Sequence, residues 1–301
     1  MANWNTILDE INTTGSTYDT IRRKYIQALS KKTGRNTICY YSGWLQKNNA
    51  PELNINDNDK NGLMNAIDSL DPAKGLDLIL HTPGGDIAAT ESIGEYLREV
   101  FGDNIRVIIP QLAMSGGTLL SLLGKEILMG PQSSLGPIDP QISNLPAQGI
   151  LAEYKHAAKE IARDQNTAYI WQQIFSKCPP SFLTECERAD KWSKGIAKQW
   201  LSEGMFKYVR QNKQDKISNI VEALSNHEET YSHARHLSPK KCKSVGLKIN
   251  TQSYEELKDP INSVHHALML TLDATPATKI IQNNLSNAYI QNVIMTRIKP
   301  E

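Results

Sequence analysis

Two short glycine-bearing stretches hold the residues of this sequence best suited to chemistry. One is Ala113-Met114-Ser115-Gly116-Gly117-Thr118 and the other is His81-Thr82-Pro83-Gly84-Gly85. Ser115 follows an apolar run and precedes Leu119-Leu120, so it lies at a strand-to-helix turn. A hydroxyl there faces backbone N–H groups that lack helical partners. The position suits a nucleophile that must generate an oxyanion, and it equally suits an ordinary capping serine. Glycine lets main-chain donors approach a substrate closely. With the two turns side by side, the N–H groups of Gly85 and Gly116 would flank a carbonyl oxygen attacked by Ser115, which is oxyanion-hole geometry. The same glycines also fit a phosphate or thioester site.

A serine nucleophile needs a base. The candidates are His81, His156, His227, His233 and His236, together with Lys155 if it is desolvated. Asp139 lies between Pro137 and Pro140 in a rigid turn. It would orient an imidazole in a triad, or simply brace the turn through its own side chain.

The elements that must position these groups read as an alternation. Thr37–Leu45, Gly75–His81, Ile105–Pro110 and Glu126–Met129 are apolar or β-branched runs expected as strands. Between them, Ile93, Tyr96, Leu97, Val100 and Phe101 share one helical face. Strand, helix, strand order implies right-handed crossovers and a largely parallel sheet, with the glycine turns at strand ends where such sheets place their sites. Residues 1–35 read as a helical extension, and residues 147–227 read as helical with a break at Pro179-Pro180. A short helix is expected at 239–244, and two amphipathic helical stretches at 260–301: Val264, Leu268 and Leu272, then Ile280, Ile281, Leu285, Tyr289 and Val293.

Composition narrows the function classes. The chain has 301 residues and a formal net charge of +1, so no global field points to nucleic acid or membrane. No run of about 18 apolar residues offers a transmembrane helix, and the first residues lack the pattern of a signal peptide. The four cysteines, Cys39, Cys178, Cys186 and Cys242, form no CxxC pair and no zinc-like cluster, so reduced thiols and a cytoplasmic location are expected. Neither a GxGxxG nor a GxxxxGK[ST] motif is present, and no cofactor is expected. Asp57-Asn58-Asp59-Lys60-Asn61-Gly62, with Asp68 six residues later, matches most of a calcium loop. It lacks an entering helix and the final glutamate, and the plainer expectation is a polar start to a helix at Leu63–Leu70.

Four ordered motifs carry a family resemblance: His81-Thr82-Pro83-Gly84-Gly85, Ala113-Met114-Ser115-Gly116-Gly117-Thr118, Met129-Gly130-Pro131 and Leu135-Gly136-Pro137-Ile138-Asp139-Pro140-Gln141. Together they resemble the serine dehydrogenase proteinase family, which is related to signal peptide peptidase A and to Clp-type serine peptidases. The resemblance extends over roughly residues 36–250. It implies an α/β, ClpP/crotonase-like fold with repeated β-β-α/βαβ units, bounded by helical extensions at 1–35 and 251–301. It further implies Ser115 as nucleophile, Gly85 and Gly116 as the oxyanion hole, and a Ser, Asp, His chain order in which Asp139 and His233 complete a triad. The segment around the histidine departs from the family pattern: Ala234 and His236 stand where an aspartate and a proline are usual, so His236 competes with His233. Relatives of the signal peptide peptidase type use a Ser-Lys dyad, for which Lys155 is suitably spaced, 40 residues after Ser115.

The expected function is therefore a serine endopeptidase acting on a peptide or protein substrate, and relatives with this fold assemble into rings or stacks, so a homo-oligomer is expected. A regulatory partner protein is compatible with this reading; nucleic acid, metal and direct membrane insertion are not expected. Two rivals stand beside it: a crotonase-like acyl-CoA enzyme that uses the oxyanion hole without a nucleophile, and a non-catalytic oligomeric scaffold.

Overall fold

The computed structural model describes residues 3–15, 17–143, 145–226 and 232–293. Helices α1 (Trp4–Thr14) and α2 (Tyr18–Thr33) open the chain, each started by a side-chain cap, Asn3 and Thr17, and each ended by a glycine, Gly15 and Gly34. The alternating part follows as β1 (Asn36–Ser42), α3 (Asn58–Ile67), β2 (Leu76–His81), α4 (Ile87–Phe101), β3 (Ile105–Ile109), β4 (Leu112–Ala113), α5 (Gly116–Ser121) and β5 (Ile127–Met129). Short strands β6 (Ser134–Leu135), β7 (Gln141–Ile142) and β8 (Leu145–Pro146) lead to helices α6 (Ala147–Arg163), α7 (Ala168–Phe175), α8 (Phe182–Glu203) and α9 (Lys213–Ser225). The chain ends with α10 (Pro239–Ser244), β9 (Ile249–Asn250), α11 (Thr251–Glu256), α12 (Lys258–Ala274), β10 (Ala277–Asn283) and β11 (Ala288–Asn292).

Among the described residues the central sheet has seven strands in the order β11-β10-β1-β2-β3-β5-β9. From β1 to β9 all neighbours are parallel, while β10 joins β1 and β11 joins β10 antiparallel. Both faces are covered, which is why β1 to β3 read as nearly continuous apolar runs. Alternation sends Ile38, Tyr40, Leu78 and Val107 to one face, against Leu63 of α3, Ile93 and Leu97 of α4, and Trp200 of α8. Cys39, Tyr41, Ile79 and Ile108 go to the other, against Leu29 of α2 and Ile261, Val264 and Leu268 of α12. The arrangement is a mixed α/β fold with one large core on each side of its sheet.

One expectation is corrected. The second amphipathic stretch of the tail is not helical: Ala277–Asn283 and Ala288–Asn292 are strands. The register pairs Ile281 with Tyr40 of β1 and with Tyr289 of β11. A strand buried along its whole length shows no period of two, so its apolar residues mimic helical spacing. The calcium-like segment follows the plainer expectation of a polar helix start, with the helix beginning earlier than Leu63. Helix α3 begins at Asn58, so Asp59 and Asn61 sit in its first turns rather than around an ion. Asp59 is fully buried against Lys279. Gly62 serves close packing: a Cβ there would meet Ile281 at 2.6 Å and Tyr289 at 2.8 Å.

Candidate active site

Ser115 stands between β4 and α5 with φ 50° and ψ −114°, a conformation that costs energy for any residue with a side chain. Two backbone bonds lock the turn to the end of β2: Thr82 N–H donates to Leu112 O at 3.1 Å, and Met114 N–H donates to Thr82 O at 3.0 Å. Although Ser115 holds the N-cap position of α5, its side chain makes no capping hydrogen bond. The capping role is not realised, and the hydroxyl is left at the wall of a cleft of about 510 Å³.

The glycine turns lie against each other. Gly84 has φ +94°, and a Cβ on it would fall 2.6 Å from Ser115 Cβ and 2.8 Å from Gly116 N. Gly85 pairs with Ile55 in a parallel bridge. In that bridge Ile55 N–H donates to Gly84 O at 2.8 Å and Asp86 N–H donates to Ile55 O at 2.9 Å. A parallel bridge of this register uses the neighbours of Gly85 and leaves its own N–H pointing away from Ile55. Gly116 is the first residue of α5, where an N–H has no helical acceptor. A Cβ on Gly116 would lie 3.3 Å from Gly85 N, so the two donors neighbour one another beside Ser115.

His233 and Asp139 meet as well. His233 Nδ1 is 2.8 Å from Asp139 Oδ1; the carboxylate is fully buried and the imidazole is 28% exposed. Gln141 Nε2 adds a longer bond to Asp139 Oδ2 at 3.3 Å. A carboxylate on Nδ1 fixes the tautomer and leaves Nε2 to accept a proton. His233 and Ser115 line the same cleft, together with Gly84, Gly85 and Gly116. The loops that carry them are sewn together. Leu135 and Leu237 exchange backbone bonds of 3.1 and 2.8 Å, tying the aspartate loop to the histidine loop. Thr118 Oγ1 donates at 2.9 Å to Ala113 O and accepts at 2.9 Å from Gly136 N–H, which ties the Ser115 helix to the aspartate loop.

The other candidate bases lie elsewhere. His81 is fully buried on the opposite face of the sheet, among Tyr41, Trp44 and His265. Burial, with His265 nearby, holds its pKa well below the usual histidine value. His156 is exposed on α6, 3.5 Å from Glu160. His236 is exposed and is not part of the cleft wall. Lys155 is exposed on α6 and lines a different cavity, with His156, Asp190 and Glu222. His227 lies outside the described residues. Among the described residues, no group of three or more His, Cys, Asp or Glu is arranged to hold a metal ion, and no helix is long and apolar enough to cross a membrane.

Several cleft residues carried no motif. Helix α8 contributes Glu185, Arg188 and Trp192, and the segment before α3 contributes Asn54. Trp192 Nε1 donates to Glu91 Oε2 of α4 at 2.9 Å, which links two walls of the cleft. Only the tertiary fold brings these positions to Ser115, so local spacing offered no signal for them. Thr118 stood inside a recognised motif, but its double bond between loops could be read only from their proximity.

Residues 43–178 match the family of ClpP-like SDH-type serine proteinases. Two uncharacterised proteins of Methanocaldococcus jannaschii are also similar. One is 38% identical over 107 residues, covering 36% of this chain and 37% of the relative. The other is 32% identical over 177 residues, covering 58% of this chain and 52% of the relative. The matched part thus spans about half of those relatives or less. The family match includes Ser115, Asp139 and both glycine turns and ends before His233. The similarity to ClpP-like SDH-type serine proteinases is thus a property of residues 43–178 of this chain.

Proposed function

We propose that the protein is a serine endopeptidase with Ser115 as nucleophile, His233 as base and Asp139 as the group that orients the imidazole. One observation carries the reading: the His233–Asp139 pair, bonded at 2.8 Å, opens into the cleft that Ser115 lines. Ser115 Oγ attacks the peptide carbonyl carbon while its proton passes to His233 Nε2. The carbonyl π pair becomes an oxyanion held by the N–H groups of Gly85 and Gly116. Collapse of the tetrahedral intermediate breaks the C–N bond, and His233 returns the proton to the leaving amine. Water then repeats the sequence on the acyl-enzyme and releases Ser115. Lys155 is set aside as base because it is exposed and borders a different cavity.

A fluorophosphonate probe should label the wild type and fail on Ser115→Ala. Peptide hydrolysis should disappear with Ser115→Ala and fall steeply with His233→Ala. Full hydrolysis by Ser115→Ala would overturn the reading in favour of an enzyme that needs only the oxyanion hole. We further propose a homo-oligomer. Its support is an apolar patch on α7, where Tyr169 is 70% and Ile170 60% exposed. Light scattering of the purified chain tests it, and a monomer at all concentrations would refute it.

A further inference from the structure

Besides Asp139, a second buried carboxylate is linked to the cleft, through the wall residue Asn54. Asp59 of α3 and Lys279 of β10 are both fully buried, with Lys279 Nζ 2.7 Å from Asp59 Oδ1 and 3.0 Å from Oδ2. Tyr40 of β1 donates its hydroxyl to Asp59 Oδ2 at 2.7 Å. The pair grips both ends of one short segment: Lys279 Nζ donates to Asn54 O at 2.8 Å, and Asn56 N–H donates to Asp59 Oδ2 at 3.0 Å. Between those points lies Ile55, whose two backbone bonds fix Gly84 and Asp86 on either side of Gly85. Burial pulls the Lys279 pKa down, and the Asp59 carboxylate opposes it. A buried ion pair can often be replaced by apolar residues at no loss of stability, so stability alone does not account for this one.

We propose that Asp59, Lys279 and Tyr40 form a positioning device: they hold Asn54–Asn56 in the register that turns the Gly85 N–H toward the Ser115 turn. The inference rests on the peptidase reading above. It gives the last strand pair of the chain a role in the site, because β10 delivers the lysine. None of the three side chains touches substrate; they act through Ile55 and Gly85.

The test sets Lys279→Met and Tyr40→Phe beside Asp77→Asn, which removes charge from a buried network at the other end of β2. Two readouts are taken: kcat and KM on a fluorogenic peptide, and amide hydrogen exchange at Ile55, Asp86 and Val107. Lys279→Met should lower kcat by roughly 10²-fold with KM within about threefold, because a donor displaced by about 1 Å costs mainly transition-state binding. Tyr40→Phe should lower kcat in the same direction by less. In both, the Ile55 and Asp86 amides should exchange faster while Val107, deep in β3, keeps its protection. Asp77→Asn should lower Tm without moving kcat. If Lys279→Met does not fold, Tyr40→Phe decides, since it removes a single hydroxyl. Unchanged kcat and unchanged Ile55 and Asp86 exchange would overturn the proposal, as would an equal kcat loss in Asp77→Asn. If the wild type hydrolyses no peptide, the peptidase reading fails and the exchange data alone decide whether the device holds the loop.

Discussion

Asp77 and Asp139 are both fully buried carboxylates, and their surroundings differ in one chemical respect. Asp77 lies near the start of β2. It accepts from Arg35 Nε at 2.7 Å, from Arg106 Nε at 2.9 Å and from Arg106 Nη2 at 2.7 Å. Its partners are permanently charged, and Arg35 also bonds Asn104. Asp139 lies beyond the opposite, C-terminal ends of the strands, and its ionisable partner is the imidazole of His233. A guanidinium cannot give up its proton near neutral pH, whereas an imidazole can take or release one. The first carboxylate therefore joins strands; in the proposed mechanism the second stabilises a charge that comes and goes. Burial and a short contact to a nitrogen-bearing side chain are common to both and do not distinguish a site from a brace. The titratable partner and the open cleft do.

The sharpest way to break this contrast is Asp139→Asn. The amide keeps the shape but cannot hold the imidazolium, so kcat should fall roughly 10³- to 10⁴-fold with Tm nearly unchanged. Steady-state hydrolysis together with a thermal melt checks both halves. Retention of wild-type kcat would remove Asp139 from the chemistry.

Asp77→Asn should do the reverse. It leaves two partly buried guanidinium groups short of their counter-charge and should cost about 3 kcal/mol of stability. Urea titration measures that loss, and kcat/KM of the folded fraction should stay at the wild-type value. A fall in kcat/KM would mean that the far end of β2 is coupled to the cleft.

Most of the parallel part of the sheet was legible in the sequence. Strands such as Leu76–His81 are buried on both faces and therefore read as short apolar runs bounded by glycine. The Ser115 turn was legible too, because a serine followed by two glycines has few structural uses. What spacing could not show is that the Ser115 side chain makes no capping bond. The choice of base was not legible. His81, Lys155 and His233 differ in which face, cavity or loop they occupy, and no local spacing encodes that. The tail misled because Ile280, Ile281, Leu285 and Tyr289 satisfy a helical period by accident. The Asn283–Asn287 segment, which joins β10 to β11, was the overlooked hairpin cue. The polar helix start at 57–62 was legible, but the partner of Asp59 was not, because Lys279 comes from β10.

A third buried cluster sharpens the contrast by having no counter-charge at all. His81, with both ring nitrogens unpartnered, packs against His265 with ring centroids 5.5 Å apart. Burial, together with His266, lowers the His265 pKa to about 3, and burial lowers that of His81 as well. Both folded-state values lie below the unfolded value near 6.5, so the unfolded chain binds more protons in the interval. Stability should be flat above about pH 6.5 and fall below it, by about 1.4 kcal/mol per pH unit for each histidine held neutral, down toward pH 3. Urea midpoints at neutral and mildly acid pH test the slope. His265→Gln, which can keep the bond to the Tyr41 hydroxyl, should flatten it by one histidine. An unchanged slope would show that the ring already carries a proton in the fold.

The smallest effect expected is the most discriminating for mechanism. Lys155 is the one residue that would turn the site into a Ser-Lys dyad, and the dyad needs an ammonium stripped of water so that it deprotonates near neutral pH. Lys155 is exposed on α6 and borders the cavity of Asp190 and Glu222, not the cleft. An exposed lysine outside the cleft has no route to the Ser115 proton. Lys155→Ala should therefore leave kcat and KM within about twofold of wild type, the margin expected of a surface substitution. His233→Ala, measured in the same assay, should lose nearly all activity. The reverse outcome would mean that α6 swings over the cleft in the working enzyme. In that case the Asp139–His233 pair would be a brace like Asp77 and its arginines.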